Sequence, residues 1–182
     1  MKNIEENNPL VSVVIPCYNH EQFVQESIQS VIDQDYENIE LIVIDDGSKD
    51  RSVEKIQEMS PACKERFVRF EFRHRANKGL CATLNEGARV AKGEIVGFCS
   101  SDDTLHKNKI QTQVDFFKRN THSDFCYTQT YVFDDNGKIL QSATDLANKN
   151  LSINITFHDI ITFKVHFPVT GMYRTNFLLE KL

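Results

Sequence analysis

Two apolar runs, each with a single polar interruption, Leu10-Val11-Ser12-Val13-Val14-Ile15 and Ile39-Glu40-Leu41-Ile42-Val43-Ile44, constrain the fold of this chain more than any other feature. A strand that lacks apolar/polar alternation is apolar on both faces, and such strands belong inside a parallel sheet covered by helices on both sides. The segment between the runs supplies one helix. Phe23, Ile28, Val31 and Ile32 recur at helical spacing over Glu21 to Gln34, with polar residues between them. Pro16 ends the first run, and Asp45-Asp46-Gly47-Ser48 breaks the second. A further helix follows from about Asp50 to Ser60, with Val53, Ile56 and Met59 on one face. Two successive βα units predict an α/β fold with a mostly parallel sheet flanked by helices.

The pattern continues down the chain. Phe67 to Phe72 alternates, which marks a third strand near an edge or only half buried. Asn77-Lys78-Gly79 is a turn. Leu80 to Ala91 carries Leu80, Leu84, Ala88 and Ala91 as a helix face, and Lys92-Gly93 stops it. Glu94 to Cys99 is a fourth strand, followed by an amphipathic helix over Asn108 to Arg119. From Asp124 the character changes. Phe125 to Phe133 is aromatic and β-prone, and Asp134-Asp135-Asn136-Gly137-Lys138 before Ile139-Leu140 predicts a β-hairpin in the C-terminal part. Gln141 to Asn154 reads as a polar loop, Phe157 to Phe163 as a short helix and Val165 to Tyr173 as a strand. There is no low-complexity linker, and 182 residues suit one domain spanning 1–182.

Composition excludes some functions. With 40% hydrophobic residues, 26% charged residues and a net charge of -5, the chain reads as soluble and globular and offers no basic stripe for nucleic acid. The one basic cluster, Arg66, Arg69, Arg73, His74, Arg75 and Lys78, reads as a solvated strand face and loop. Five cysteines without a CxxC suit reduced thiols in the cytoplasm, and six scattered histidines form no HExxH pair. No signal peptide is present, and no apolar run approaches the roughly 18 residues of a membrane span.

Two strands end in paired carboxylates, Asp45/Asp46 after the second and Asp102/Asp103 after the fourth. In a parallel sheet both pairs open onto the same edge, where open α/β folds bind ligands. Turn and cap chemistry explains a single acid at such a place, but it does not require doubled acids at both. One pair can accept hydrogen bonds from a base or ribose, while the other holds a divalent cation through hard oxygen ligands.

The succession VSVVIPCYNH, then IELIVIDDGSKD, then NKGLCATLNEGARVAKGEIVGFCSSDD resembles the nucleotide-binding half of family 2 glycosyltransferases, over about Leu10 to Leu105. The resemblance implies the GT-A fold, a Rossmann-like arrangement, with residues 9–105 as the nucleotide-sugar half and 106–182 as an incomplete acceptor half. It also implies site residues. Pro16, Tyr18, Asn19 and Asp46 would cradle the nucleobase and ribose, with Asn77 and Gly79 in the donor-side loop and Asn85 and Gly87 on the helix after it. Asp102 would approach the ribose, and Asp103 would bind Mn²⁺ or Mg²⁺ bridging the diphosphate. The implied reaction is inverting transfer of a sugar from a nucleotide donor, with uridine diphosphate foremost, to a saccharide or lipid-linked acceptor. For such an acceptor the inner face of the membrane is the expected place of work. Ser100 stands where many members carry a further aspartate.

The family's catalytic base usually lies in a GFDE-like segment after a strand similar to Phe167 to Arg174. That segment would begin near Leu182, so the base is expected beyond it, and Glu180 reads as a solvated terminal residue. Two other classes fit parts of the pattern. A receiver-like regulatory module also gathers acids around Mg²⁺, but its acid pair follows the first strand. A non-catalytic nucleotide-sugar-binding fragment would keep both pairs without turnover.

Overall fold

The computed structural model describes residues 8–134, 136–148 and 170–182. Along them run β1 (Val11–Cys17), α1 (Val24–Ile32), β2 (Ile39–Asp45), α2 (Ser52–Arg66), β3 (Arg69–His74), α3 (Leu80–Val90) and β4 (Ile95–Phe98). They continue with α4 (Lys109–Arg119), β5 (Phe125–Cys126), α5 (Gln141–Asn148), β6 (Met172–Arg174) and α6 (Thr175–Leu179). The described residues up to Cys126, with Met172–Leu182, form one compact unit, and those within Tyr127–Gly171 form a second.

The first unit is a six-stranded sheet in the order β3-β2-β1-β4-β6-β5. β1 pairs in parallel with β2 and β4, and β2 with β3, while β6 runs antiparallel to both β4 and β5. The continuous apolar runs therefore occupy the two most enclosed positions. Val11, Val13 and Ile15 of β1 and Leu41 and Val43 of β2 pack with Val24, Ile28, Ile56, Ile110 and Val114 from α1, α2 and α4. Val14, Ile42, Ile44 and Val96 face the other way, with Val90 of α3 and Leu178 of α6 packed against them. This is the period-2 division of a strand buried on both faces.

Several boundaries differ from the sequence reading for physical reasons. β1 runs through Pro16 to Cys17 rather than ending at the proline. α2 continues six residues past Ser60 and through Pro61, because Cys63 carries the buried stripe onward from Ile56. β3 is an edge strand of intermediate burial, shifted to Arg69–His74 because Phe67 closes α2 through its N–H on the Cys63 carbonyl at 3.0 Å.

In the second unit the expected hairpin is present, with Phe133 bridging Ile139 antiparallel around a turn that holds Gly137 at φ 75. The segment read as a loop from Gln141 is instead α5. Its fastenings are polar: Thr144 Oγ1 accepts the Val132 N–H at 2.9 Å, and Asn148 accepts the Thr130 N–H at 3.0 Å and donates to its carbonyl at 2.8 Å. Of the expected strand Val165 to Tyr173, Met172 and Tyr173 fall in β6, while residues 165–169 and the helix expected at Phe157 to Phe163 lie outside the described residues.

α3 lies so close to β1 that a Cβ on Gly87 would sit 2.3 Å from Val14 Cγ1. Glycine to alanine in a helix ordinarily stabilises by up to about 1 kcal/mol. Here the substitution should destabilise by about 1–3 kcal/mol through overpacking, as read by urea denaturation.

Candidate functional site

After β3 the chain crosses β1 to form β4 on its far side, so the carboxyl ends of β1 and β4 lie at a topological switch point. The loops leaving β1, β2 and β4, with the turn before α3, enclose a cleft of about 440 Å³. Pro16, Tyr18, Asp46, Asn77, Gly79 and Asp102 all line it, together with Cys17, His20, Leu80, Thr83, Ser100 and Ser101. Two residues expected at the site are not on its wall. Asn19, with φ 55, ties the β1 loop to the β2 loop by donating its N–H to Ser48 Oγ at 2.9 Å and accepting the Lys49 N–H at 2.7 Å. Asp103 stands exposed beside the lining residue Asp102.

The first acid pair divides its labour. Asp45 is fully buried and holds its own turn, taking the N–H groups of Gly47 and Ser48 at 3.1 and 3.0 Å, the Ser48 hydroxyl, and His74 Nδ1 at 2.8 Å. Asp46 points the other way, into the cleft. Its carboxylate accepts the Lys78 N–H at 2.8 Å, the Gly79 N–H at 2.9 Å and an ion pair from Arg75. Burial alone would raise the Asp46 carboxyl; the hydrogen bonds from Lys78, Arg75 and Gly79 and the Arg75 charge outweigh it and hold the group below its usual range.

At the second pair the balance is reversed. Although Asp103 keeps an exposed surface, desolvation of its carboxyl lifts it above the usual aspartate range, and the Asp102 charge adds to the rise. His20 joins this corner, with Nδ1 2.7 Å from Ser101 Oγ and Nε2 4.0 Å from Asp102 Oδ2. Burial pushes the Cys17 thiol up to about 11, against hydrogen bonds from Ser101 and Ser52, so it stays neutral on the cleft floor.

Among the described residues no group of three or more His, Cys, Asp or Glu is placed to hold a metal ion. Two adjacent carboxylates do suit Mg²⁺ or Mn²⁺, which are commonly held by one or two carboxylates plus substrate phosphates. The donor set therefore fits a cation that arrives with a diphosphate rather than a resident metal in a protein cage.

The basic cluster is not a solvated face. Arg66 donates to the carbonyls of Ile32, Gln34 and Tyr36 at 2.9, 2.9 and 2.7 Å, stitching α2 to the α1–β2 connection. Arg69, Arg73 and Arg75 form a ladder of alternating charge in which Glu40 pairs Arg69, Arg69 and Arg73 share Glu71, Arg73 and Arg75 share Glu86, and Arg75 reaches Asp46, while His74 pairs with Asp45 and Lys78 is exposed. Among the site residues that the sequence reading missed are His20, Arg75 and Thr83. The alternation of Arg and Glu over Arg69 to Arg73 was the available signal for the ladder, whereas nothing in the sequence marks His20 as a partner of Ser101.

The model of the family described as glycosyl transferase family 2 matches residues 12–181. An uncharacterized glycosyltransferase of Rickettsia conorii is 35% identical over 136 residues, covering 75% of this chain and 22% of that protein. One from Haemophilus influenzae is 37% identical over 125 residues, covering 66% and 49%. The chain thus spans no more than half the length of these relatives. Among solved structures, Staphylococcus aureus TarS residues 1–349 in complex with UDP superposes with a TM-score of 0.72 at 24% identity, over 94% of this chain and 48% of that one. The mannosyltransferase PcManGT from Pyrobaculum calidifontis, in complex with GDP-Man and Mn²⁺, gives 0.56 at 22% identity, over 62% and 33%. The sheet order, the mixed strand directions and these likenesses identify the GT-A fold. With its motifs in order along the match, this chain belongs to glycosyl transferase family 2.

Proposed function

We propose that this chain is the donor-binding part of an inverting, divalent-metal-dependent glycosyltransferase. It would move a hexosyl-type sugar from a uridine-diphosphate donor to a saccharide or lipid-linked acceptor. The observation that carries this reading is convergence: Pro16 and Tyr18, Asp46, Asn77 and Gly79, and Asp102 come from four separate segments to one cleft. Clefts of this volume suit small ligands. TarS has been solved with UDP and with UDP-GlcNAc, which supports a uridine donor.

Each residue has a chemical part. Tyr18, 46% exposed at the cleft, offers a ring face to a base. Asp46, held ionised, accepts an N–H, and Asp102 accepts from ribose hydroxyls. Transfer proceeds when a base takes the acceptor hydroxyl proton, the freed oxygen attacks the anomeric carbon in line, and the bond to the diphosphate oxygen breaks. A divalent cation bound at Asp103 would supply neutralisation of the charge that grows on the leaving diphosphate. We assign the acceptor base to none of the cleft residues.

Calorimetric titration of UDP with and without Mn²⁺ tests the reading. Binding should appear and strengthen with metal. Asp103→Ala should keep the fold by circular dichroism but abolish the metal-dependent increment. A folded chain that binds no uridine nucleotide in either condition would overturn it.

A further inference from the structure

Asp46 has little acceptor capacity left to offer. An ionised carboxylate has about four lone-pair positions on its two oxygens. On Oδ1 two are filled, by Arg75 Nη1 and by the Lys78 N–H at 2.8 Å. On Oδ2 one is filled, by the Gly79 N–H at 2.9 Å. One position remains, on Oδ2.

Arg75 cannot readily yield its share. Its side chain is only 16% exposed and is fixed at every nitrogen: Nε donates to Glu86 Oε2 at 2.8 Å, Nη2 to Thr83 Oγ1 at 2.9 Å, and Nη1 to the Ala76 carbonyl at 3.0 Å as well as to Asp46. Thr83 is in turn fully buried and donates to the Gly79 carbonyl at 3.0 Å, so the guanidinium is locked to both the helix and the turn that hold the same carboxylate.

We propose that Arg75 is a positioning residue that sets nucleobase specificity, reserving Asp46 for a base with a single ring N–H and excluding the double donor of guanine. The proposal rests on the reading that Asp46 meets the base. Guanine presents N1–H and N2–H side by side, a pair that a free carboxylate takes with both oxygens. Here the second donor would meet an oxygen already filled by two donors, one of them cationic, and would be left unpaired. Uracil presents one imide N–H, which the open position on Oδ2 accepts. Cytosine turns a ring acceptor toward the carboxylate and is repelled.

Hypoxanthine separates this account from purine size, because it is guanine without the exocyclic amine. In calorimetric titrations of the unmutated chain with Mn²⁺, UDP should bind about ten-fold or more tighter than CDP, and IDP at least as tightly as GDP. Arg75→Met opens a position on Oδ1, so GDP should gain on IDP by about ten-fold even if every affinity falls. A purely structural role would lower all four nucleotides in proportion, and that result in a folded variant overturns the proposal. GDP binding several-fold tighter than IDP to the unmutated chain also overturns it, and this comparison decides alone if Arg75→Met does not fold. If no nucleotide binds, the donor-site reading falls and the proposal falls with it; if UDP binds with the wrong order of bases, only the proposal falls.

Discussion

Replacing Glu40 with alanine should cost the first unit about 3–5 kcal/mol, the range for removing one partner of a buried charge pair. Glu40 is fully buried near the start of β2, on the same face as Ile42 and Ile44. It accepts from Ser12 Oγ at 2.5 Å, from Arg69 Nη1 at 2.6 Å, and from the Lys92 and Gly93 N–H groups at 2.5 and 3.2 Å. Alanine leaves the Lys92 N–H and the Ser12 hydroxyl without this acceptor, while the Gly93 N–H keeps Ser12 Oγ at 2.8 Å and Arg69 keeps Glu71. A loss of this size lowers the melting temperature by roughly 10 °C in a chain of this length. Glu40→Gln, which keeps one acceptor and the volume, should cost less. The pH dependence has a definite sign. Burial would raise the Glu40 carboxyl, but the hydrogen bonds from Ser12, Lys92 and Arg69 and the Arg69 charge hold it below its ordinary 4.5. A folded-state value below the unfolded one contributes stability that is complete above about 4.5 and lost as pH falls through the folded value. The advantage of the unmutated chain over Glu40→Gln should therefore shrink below about pH 4.5 in urea melts. An advantage that grows with acidity would show that the carboxylate is not the stabilising form.

Asp46→Ala should weaken UDP by about 100-fold, near the upper end of what losing a charged hydrogen bond of about 1.5–3 kcal/mol causes. Two effects combine. The side chain that would face the base is gone, and the N–H groups of Lys78 and Gly79 lose the acceptor that shapes the turn carrying Asn77 and Gly79 to the cleft. Asp46→Asn should fall between, because an amide keeps one acceptor but turns a donor toward Arg75 or the turn. Isothermal titration of UDP against the three chains reads the series directly. An Asp46→Ala protein that binds UDP within three-fold of the unmutated chain would remove Asp46 from the donor site.

The enclosed strands were legible because burial on both faces writes itself as an apolar run without alternation, which the single polar residues Ser12 and Glu40 do not mask. α5 was illegible for the opposite reason: its hold on the hairpin comes from Thr144 and Asn148, and polar fastenings leave no apolar period. Asp45 and Asp46 are indistinguishable as letters. Only the alternation of side-chain direction at the end of β2 sends one into its own turn and the other into the cleft. The alternation over Arg69 to Arg73 showed the middle of the ladder, but its ends were hidden because Glu40 and Asp46 are far away in sequence and are brought beside it by the parallel pairing of β2 with β3. The motif order carried the family, while the use of Asn19 as a tie between two loops, at a φ of 55, has no mark in the sequence.

The position of β3 at the margin of the sheet has a consequence for the behaviour of this protein in concentrated solution. A marginal strand presents unpaired backbone groups to which another chain can add, which is how sheets polymerise. In β3 the outward groups are flanked by Arg69, Glu71 and Arg73, each already joined to a neighbour of opposite sign. An incoming strand would have to desolvate or part these ions before gaining a hydrogen bond, so the ladder that braces Asp46 also guards the sheet against growth from that side.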